Sequence, residues 1–273
     1  MESKKILVTG ANSYIGKNFI EYMSSFAEYS VEAISVRDDS WKSQDWSGYD
    51  VVYDVAGIAH IKENDENRHL YYEVNRDLAV ALAKKAKDSG VKQFIYLSSM
   101  SVFGLVEGRI DMSTPTNPVN AYGKSKLEAE RQLMVIASND FKVAIVRPPM
   151  VYGPGCKGNY QMLKKFALKF KAFPNVNNQR SMISIDNMSK AVLGMINNPR
   201  TAVYHPQNPQ YVRTYDMVKS IAEDAGLRFF TIRGFNWLIG LLTKRINVFK
   251  KVFGSLTYDK KMNVPLEWLK DEM

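Results

Sequence analysis

The first 25 residues constrain the fold of this chain more than any other segment. Residues Lys5–Thr9 form a short apolar run, and Tyr14–Ser25 carries apolar residues along one side of a predicted helix. Between them, Gly10 permits a tight turn and Gly16 permits close helix packing, although Ser13 stands where a middle glycine is expected. We predict a strand–turn–helix unit whose helix start binds a pyrophosphate through backbone N–H groups. An ordinary glycine-containing turn is the alternative.

Strand-like and helix-like segments alternate along the rest of the chain. The predicted strands are Val31–Val36, Asp50–Val55, Gln93–Leu97 and Lys142–Arg147, and the predicted helices are residues 65–89 and the stretch that begins at Tyr122. This alternation predicts an α/β fold with a doubly wound parallel sheet. Ligands are expected at the carboxyl ends of its strands.

The chain of 273 residues suits one such α/β unit with a smaller lobe. We expect residues 181–185 and 186–197 to return to the sheet as a strand and a helix. The predicted nucleotide-binding domain is therefore residues 1–150 plus about 181–204. Residues of about 151–180 and 205–273 remain for a lobe that binds the substrate.

Tyr122 and Lys126 are four residues apart at the start of a predicted helix. Side chains at this spacing project from the same helix face, so that the phenol and the ammonium can share one pocket. A neighbouring cation favours phenolate, which predicts a lowered pKa for Tyr122. Such a tyrosine suits proton transfer during hydride chemistry at a carbonyl.

The composition argues against several other classes of protein. The single cysteine, Cys156, excludes an internal disulfide and is compatible with a reducing cytosol. His60, His69 and His205 are scattered, and we predict no metal site. No apolar run approaches the ~20 residues of a membrane-spanning helix. Since no hydrophobic targeting segment precedes the first strand, we expect a cytoplasmic protein.

Several motifs in order carry a resemblance to a known family. TGANSYIG, KQFIYLSSMSVFG and YGKSK together resemble the extended short-chain dehydrogenase/reductase superfamily. VRPPMVYGPGCKGN and QRSMISIDNMSKAV are similar to the branch that contains 4-epimerases and 4-ketoreductases of nucleotide sugars. The resemblance implies a Rossmann-type sheet with a smaller C-terminal lobe for the substrate. It also implies an NAD(P)-dependent enzyme.

The resemblance also implies residue roles. Ser99, Tyr122 and Lys126 are the implied catalytic residues. Ser99 binds the sugar oxygen, Tyr122 transfers the proton, and Lys126 holds the nicotinamide ribose and tunes Tyr122. The implied cofactor-binding residues are Gly10, Asn12, Ser13, Tyr14, Ile15, Gly16, Ala56, Gly57, Asn75 and Pro149, together with Tyr122 and Lys126. Surface exposure is the alternative interpretation of Asn75, and Ser98 is interpreted as structural.

Departures from the patterns of related enzymes narrow the implied reaction. Dehydratases of this type carry an acidic pair where this chain has Met100 and Ser101, so that dehydration is not expected. The cysteine of combined epimerase/reductases is also missing there. Met150 stands where epimerases commonly have Asn, which favours a reductase. A similarity that includes FGSLTYD, residues 253–259, implies that the reductase acts at C4 of a UDP-4-keto-6-deoxy-N-acetylhexosamine. A UDP-hexose 4-epimerase is the alternative. Asn159 and Arg180 are implied to bind the nucleotide diphosphate.

The residues at the end of the second predicted strand help to distinguish NADP(H) from NAD. Arg37 at this position suits a 2′-phosphate, which favours NADP(H). In the alternative register, Asp38 binds a ribose hydroxyl and the cofactor is NAD. Asp45 resembles the aspartate that contacts the adenine ring, and an ordinary loop residue is the alternative.

The formal net charge of +9 is concentrated near the C-terminus. Residues 227–262 contain eight lysines and arginines against Asp259 alone, interleaved with aromatic and aliphatic residues. We favour a helix packed over the substrate pocket, and a peripheral contact with anionic lipid is the alternative. Nucleic acid is not an expected partner, although a non-catalytic NADP-sensing or RNA-binding member of the superfamily is a minor alternative. The resemblance implies a homodimer formed through the helices that bear Asn75 and Tyr122.

Overall fold

The computed structural model describes residues 3–59, 61, 63–156, 159–232, 234 and 236–269. Its strands are β1 (Lys4–Thr9), β2 (Tyr29–Ile34), β3 (Val51–Asp54), β4 (Gln93–Leu97), β5 (Gly108–Ile110), β6 (Lys142–Val146), β7 (Met150–Tyr152), β8 (Ala172–Pro174), β9 (Met182–Ser184), β10 (Ala202–Tyr204), β11 (Phe230–Ile232) and β12 (Leu256–Tyr258). Its α-helices are α1 (Tyr14–Met23), α2 (Arg68–Tyr72), α3 (Ala79–Asp88), α4 (Ala121–Ile136), α5 (Asn159–Phe170), α6 (Ile185–Asn197), α7 (Thr214–Asp224), α8 (Asn236–Arg245) and α9 (Asn247–Phe253).

The central sheet confirms the predicted fold class. Six parallel strands lie in the order β10–β6–β4–β3–β1–β2. Alternate residues of the strands face opposite layers, because side chains alternate along a strand. On one face, Val8 and Tyr53 pack with α1 and α6, and on the other, Leu7 and Val52 pack with α3 and α4. The sheet is therefore buried between two helical layers, as in a doubly wound fold.

The strand predicted over residues 181–185 pairs with a different strand than expected. Strand β9 does not join the central sheet, and it pairs in parallel with β7 in a separate two-stranded sheet. Pro148 and Pro149 follow β6 after Arg147 and have no N–H with which to continue a ladder. The chain therefore leaves the central sheet there. Instead, β10 occupies the edge beside β6.

The long helix predicted over residues 65–89 is interrupted. Helices α2 and α3 are joined by a single π-helical segment, Glu73–Leu78, that contains Asn75. Such segments are often found at functional sites, since the extra residue redirects neighbouring side chains. The predicted second strand is also displaced, because β2 begins at Tyr29 and ends at Ile34.

The segments assigned by the sequence to the substrate lobe have their own apolar cluster. Helices α5 and α7 pack together there, with Phe173 of β8 and Val218 of α7 buried between them. Strand β8 pairs with β11, and strand β12 pairs with β5. The division into two domains stays a prediction, with this cluster as its basis.

Candidate active site

The turn between β1 and α1 has the geometry that a bound phosphate requires. Gly10 has φ of +80°, and a Cβ atom on it would lie 2.9 Å from the backbone nitrogen of Ala56. Only glycine fits this conformation and this close approach without strain. A Cβ atom on Gly16 would lie 2.8 Å from Ser13 Oγ. Gly10 is therefore required by the surrounding backbone, and Gly16 is required by the side chains of Ser13 and Val55.

Ser13, found where a glycine was expected, has a structural role. Its Oγ accepts a hydrogen bond of 2.9 Å from the N–H of Gly16 and so caps α1. The N–H groups of Tyr14 and Ile15 precede the first hydrogen bond of the helical repeat, from Lys17 to Ser13. They lie at the positive end of the helix dipole, where an anion is stabilised. Asn12 is exposed beside them.

Tyr14 presents an unsatisfied polar atom at this turn. Its hydroxyl is buried and has no hydrogen-bond partner among the described residues. Burial, followed by nearby ionisable groups, raises the pKa of Tyr14 to about 12, so that the hydroxyl stays protonated. A buried donor without a partner costs free energy unless a ligand supplies an acceptor. The turn thus fits the phosphates of a dinucleotide, whereas the Tyr14 hydroxyl lies beside Gly153, in the segment after β7.

The structure brings Ser99 and Tyr122 together. Ser99 follows β4, and its Oγ accepts a hydrogen bond of 3.1 Å from the N–H of Ser101. Tyr122 lies in the first turn of α4, which Asn120 caps by accepting from the N–H of Gly123. Ser99 Oγ donates at 3.2 Å to Ser101 Oγ, and Ser99 lies near enough to Tyr122 for its hydroxyl to lower the pKa of the phenol. A sugar oxygen placed between the two hydroxyls would contact both.

The predicted lowering of the Tyr122 pKa is wrong for this structure. Burial raises the pKa of Tyr122, and the nearby Ser99 hydroxyl only partly opposes this effect. The Lys126 ammonium is not directed at the phenol: Nζ donates a hydrogen bond of 2.7 Å to the Leu97 carbonyl and lies 4.5 Å from the centre of the Tyr96 ring. Burial also lowers the pKa of Lys126 to about 8. Desolvation thus has a larger effect on the pKa of Tyr122 than the nearby Lys126 cation.

We predict that the buried Lys126 ammonium makes stability depend on pH. Its pKa is about 8 in the folded protein and 10.5 in a solvated chain, so that between these values the unfolded state binds more protons. The free energy of unfolding should therefore rise with pH across this window for the wild type relative to Lys126→Met. Urea denaturation at several pH values measures the difference. Exposed Lys124, replaced by Met, is the control, and parallel curves for wild type and Lys126→Met would contradict the prediction.

Asn75 is buried, which excludes the surface interpretation. Its Oδ1 accepts from the N–H of Ile58 at 2.9 Å, and its Nδ2 donates to the Ile58 carbonyl at 3.0 Å and to Ser125 Oγ at 3.3 Å. A Cβ atom on Gly57 would lie 2.9 Å from Asn75 Oδ1 and 3.3 Å from Lys126 Nζ. The amide therefore fixes the turn after β3 beside Lys126. Ala56 and Gly57 both belong to this turn.

Two buried carboxylates beside these residues were not predicted. Asp54 ends β3, where its Oδ1 accepts from the Thr9 hydroxyl and from the N–H of Ala56 at 3.1 Å. Burial raises the pKa of Asp54. Glu130 lies one turn beyond Lys126 on α4 and accepts from Arg147 and Ser98. Two signals in the sequence could have indicated them. Asp54 ends an apolar run, and Glu130 follows Lys126 at the same four-residue spacing that separates Tyr122 from Lys126.

The residues predicted to select the cofactor lie after β2. Arg37 is exposed and has no ion pair among the described residues. Asp38 accepts from the N–H of Ser40 at 3.0 Å, and hydrogen bonds from the side chain and then the N–H of Ser40 lower the pKa of Asp38. Asp45 accepts from both the N–H and the hydroxyl of Ser47. The two carboxylates thus stabilise local turns, whereas the Arg37 guanidinium is available to a ligand.

The predicted substrate residues lie in the smaller lobe. Arg180 is partly buried, and its guanidinium donates to the Gly254 carbonyl at 2.9 Å. No carboxylate neutralises it among the residues that the structure describes, and burial lowers the pKa of Arg180. Asn159 begins α5, but its side chain lies outside the described residues. Pro149 is buried, and Met150, at the start of β7, packs against the lobe's apolar cluster.

The two remaining findings concern metal binding and membrane-spanning helices. Within the described ranges, no three His, Cys, Asp or Glu side chains are grouped so that they would hold a metal ion. Likewise, none of the helices described here combines the length and apolar character needed to cross a membrane.

Known proteins with similar sequences have related activities. A UDP-glucose 4-epimerase from Vibrio cholerae is 34% identical over 248 residues, which cover 80% of this chain and 75% of that protein. An N-acetyl-α-D-glucosaminyl-diphospho-ditrans,octacis-undecaprenol 4-epimerase from Escherichia coli is 29% identical over 71% of this chain. The chain spans only 63% of the length of that second relative.

Solved structures with the same fold include cofactor complexes. A UDP-glucuronic acid 4-epimerase from Bacillus cereus with NAD superposes with a TM-score of 0.73, at 20% identity, over 93% of this chain and 87% of that one. A dTDP-4-dehydrorhamnose reductase from Bacillus anthracis with NADP superposes with a TM-score of 0.70, at 20% identity, over 84% and 83%. Residues 6–208 match the NAD dependent epimerase/dehydratase family. The chain therefore belongs to the NAD-dependent epimerase/dehydratase family, whose members use NAD or NADP.

Proposed function

We propose that this protein reduces the C4 ketone of a UDP-4-keto-6-deoxy-N-acetylhexosamine, in the synthesis of surface polysaccharide. The observation that carries the proposal is the proximity of Ser99, which follows β4 at the carboxyl edge of the central sheet, to Tyr122 in the first turn of α4. Ligands bind at this edge in doubly wound folds. When bound, the reduced nicotinamide supplies a hydride.

The protonation state of Tyr122 supports reduction. Burial raises the pKa of Tyr122, so that the phenol keeps its proton until an alkoxide developing on the substrate accepts it. Reduction of a ketone needs a proton donor at the oxygen, whereas oxidation of a hydroxyl needs a base there. Ser99 orients the sugar oxygen, and Lys126 lies beside the turn at Gly57, where it can hold the ribose. Met100 and Ser101 offer no acid–base pair for dehydration.

NADP(H) is the cofactor that the residues after β2 fit better. The exposed Arg37 guanidinium can form paired hydrogen bonds with a 2′-phosphate. Asp38, the alternative ligand for a ribose hydroxyl, already caps a short turn through Ser40. For the substrate, the uncompensated Arg180 guanidinium suits a nucleotide diphosphate.

A 4-epimerase acting on a UDP-hexose is the second candidate. Two relatives that carry 4-epimerase names favour it, and one of those names specifies a diphospho-undecaprenol-linked sugar. Met150 argues against it, because the side chain is a hydrophobic member of the lobe cluster and offers no amide to a sugar. Both candidates share hydride chemistry at C4, and they differ in whether the cofactor is consumed.

An activity assay tests the proposal. Purified enzyme is incubated with a UDP-4-keto-6-deoxy-N-acetylhexosamine and either NADPH or NADH. Loss of absorbance of the reduced cofactor, faster with NADPH than with NADH, is the expected result. A parallel reaction contains UDP-glucose without a reduced cofactor. Formation of UDP-galactose there, with no consumption of NADPH in the first reaction, would replace the reductase by the epimerase.

A further inference from the structure

Two segments of the smaller lobe contain cations and no acidic residue. Residues 159–171 hold four lysines, and residues 225–258 hold six lysines and arginines. Together they account for a charge as large as the net +9 of the whole chain. The structure joins them: β8, directly after α5, pairs with β11, and the N–H of Phe230 donates to the Lys171 carbonyl at 2.8 Å. The positive charge is therefore concentrated on one lobe.

Helix α5 turns apolar residues outward between its lysines. Met162, Phe166 and Phe170 recur every fourth residue, and 59%, 36% and 55% of their surfaces are exposed. Lys165 and Lys169 project from the same side, because they are three residues from these positions. The opposite side of the helix packs on α7 in the lobe cluster. The helix is thus anchored by one face and presents a mixed aromatic and cationic face to the surroundings.

Strand β11 and helix α8 also expose apolar side chains, and α8 adds a basic one. Phe230 and Ile232 share one face of the strand, and Phe230 is 61% exposed. On α8, which begins four residues after β11, Trp237 and Leu241 are exposed one turn apart, and Arg245 follows one turn later. Trp237 is 71% exposed, whereas Trp41 and Trp46 are buried.

We call this set of side chains the aromatic–basic surface: Met162, Lys165, Phe166, Lys169, Phe170, Phe230, Ile232, Trp237, Leu241 and Arg245. It rests on a packed framework, since Phe166 meets the Phe173 ring at 5.5 Å and Phe173 stacks on Phe253 at 5.3 Å. Large apolar side chains exposed together mark interaction sites. Trp, Phe and Leu interleaved with Lys and Arg are typical of elements that lie in a membrane interface.

We propose that the aromatic–basic surface docks the enzyme on an anionic lipid bilayer. Lipid phosphates complement the cations, since neither segment contains an acidic residue, and Lys250, which pairs with Glu107 at 3.5 Å, is not part of the surface. The aliphatic side chains decide between a bilayer and a nucleic acid, because Met162, Ile232 and Leu241 gain free energy only where apolar area leaves water. Tryptophan prefers the boundary between headgroups and acyl chains. None of these residues belongs to the candidate active site, so the proposal stands independently of the reaction.

Vesicle co-sedimentation of the full-length protein tests this proposal. We expect the wild type to pellet with phosphatidylglycerol vesicles at low salt, and to remain in solution with phosphatidylcholine vesicles or at high salt. Insertion should shift the Trp237 emission to shorter wavelength and expose it to quenching by brominated lipid. Trp237→Gln should remove both fluorescence changes.

The double variant Lys165→Glu/Lys169→Glu should lower the vesicle partition coefficient by more than about 25-fold, since each cation near an anionic surface contributes about fivefold. Met112→Gln is the matched control, because Met112 is an apolar residue 80% exposed in the loop after β5. Its partition should equal that of the wild type, and NADPH turnover in solution should be unchanged in all variants. Equal pelleting of wild type and double variant would overturn the proposal. Salt-sensitive retention by RNA without vesicle binding, or concentration-dependent self-association lost in Trp237→Gln, would overturn it in favour of another partner.

Discussion

Replacing Tyr122 with phenylalanine is expected to lower kcat by roughly 10²–10⁴-fold, the range for loss of a positioned acid or base. The change removes only the hydroxyl that lies near Ser99. The ring keeps its edge-to-face packing on Tyr71, with centroids 6.3 Å apart. We therefore expect the melting temperature to remain close to that of the wild type.

Tyr72→Phe is the matched control for this prediction. Tyr72 lies on α2 in the same region and packs its ring under Arg76 at 5.0 Å, but it has no predicted role in the reaction. Steady-state kinetics of both variants with NADPH and the 4-keto sugar make the comparison. A loss of less than tenfold in Tyr122→Phe, or an equal loss in Tyr72→Phe, would show that the phenol does not transfer the proton.

Replacing Arg147 with methionine is expected to destabilise the fold by about 3–5 kcal/mol. Arg147 Nε lies 3.0 Å from Glu130 Oε1, and a terminal nitrogen lies 2.5 Å from Oε2. Glu130 is almost completely buried, and it also accepts from the Ser98 hydroxyl. Removal of the arginine leaves a buried carboxylate without its cation, because methionine preserves the packing but supplies no charge.

An ion pair between the π-helical segment and α4 supplies the control. Arg76 donates to Glu128 at 2.7 Å, and both side chains are partly open to solvent. Arg76→Met should cost at most about 1 kcal/mol. Adding Glu130→Gln to Arg147→Met should recover part of the loss, because the carboxylate that lost its cation is then gone. Urea denaturation measures all four proteins, and equal losses for Arg147→Met and Arg76→Met would contradict the prediction.

Much of the candidate site was predictable because its signals are local. The glycine turn at Gly10 and Gly16 follows from backbone conformations that other residues avoid. The alternation of strands and helices predicted the sheet, and the bounds Gln93–Leu97 agree with β4. Ser99 and Tyr122 were expected to meet, since both follow the carboxyl edge of the sheet.

Other features depend on segments that lie far apart in the sequence. Asn75 was ambiguous because its role rests on the Ile58 backbone and on Ser125 in another helix. The predicted pairing of β9 with the central sheet was wrong. Pro148 and Pro149 end the ladder of the central sheet, and β9 pairs with β7, the strand that follows them. The Glu130–Arg147 pair joins a helix to the strand that follows it, and spacing alone did not reveal it.

The sequence by itself determined the family, the α/β architecture and the residues that can carry the chemistry, because these are encoded in spacing along the chain. The tertiary structure decided how those residues are charged. Spacing predicted that Lys126 would lower the pKa of Tyr122, whereas enclosure of both side chains raises the pKa of Tyr122 and lowers that of Lys126. Desolvation depends on the atoms that surround a group from every direction, and only the packed fold brings those atoms together.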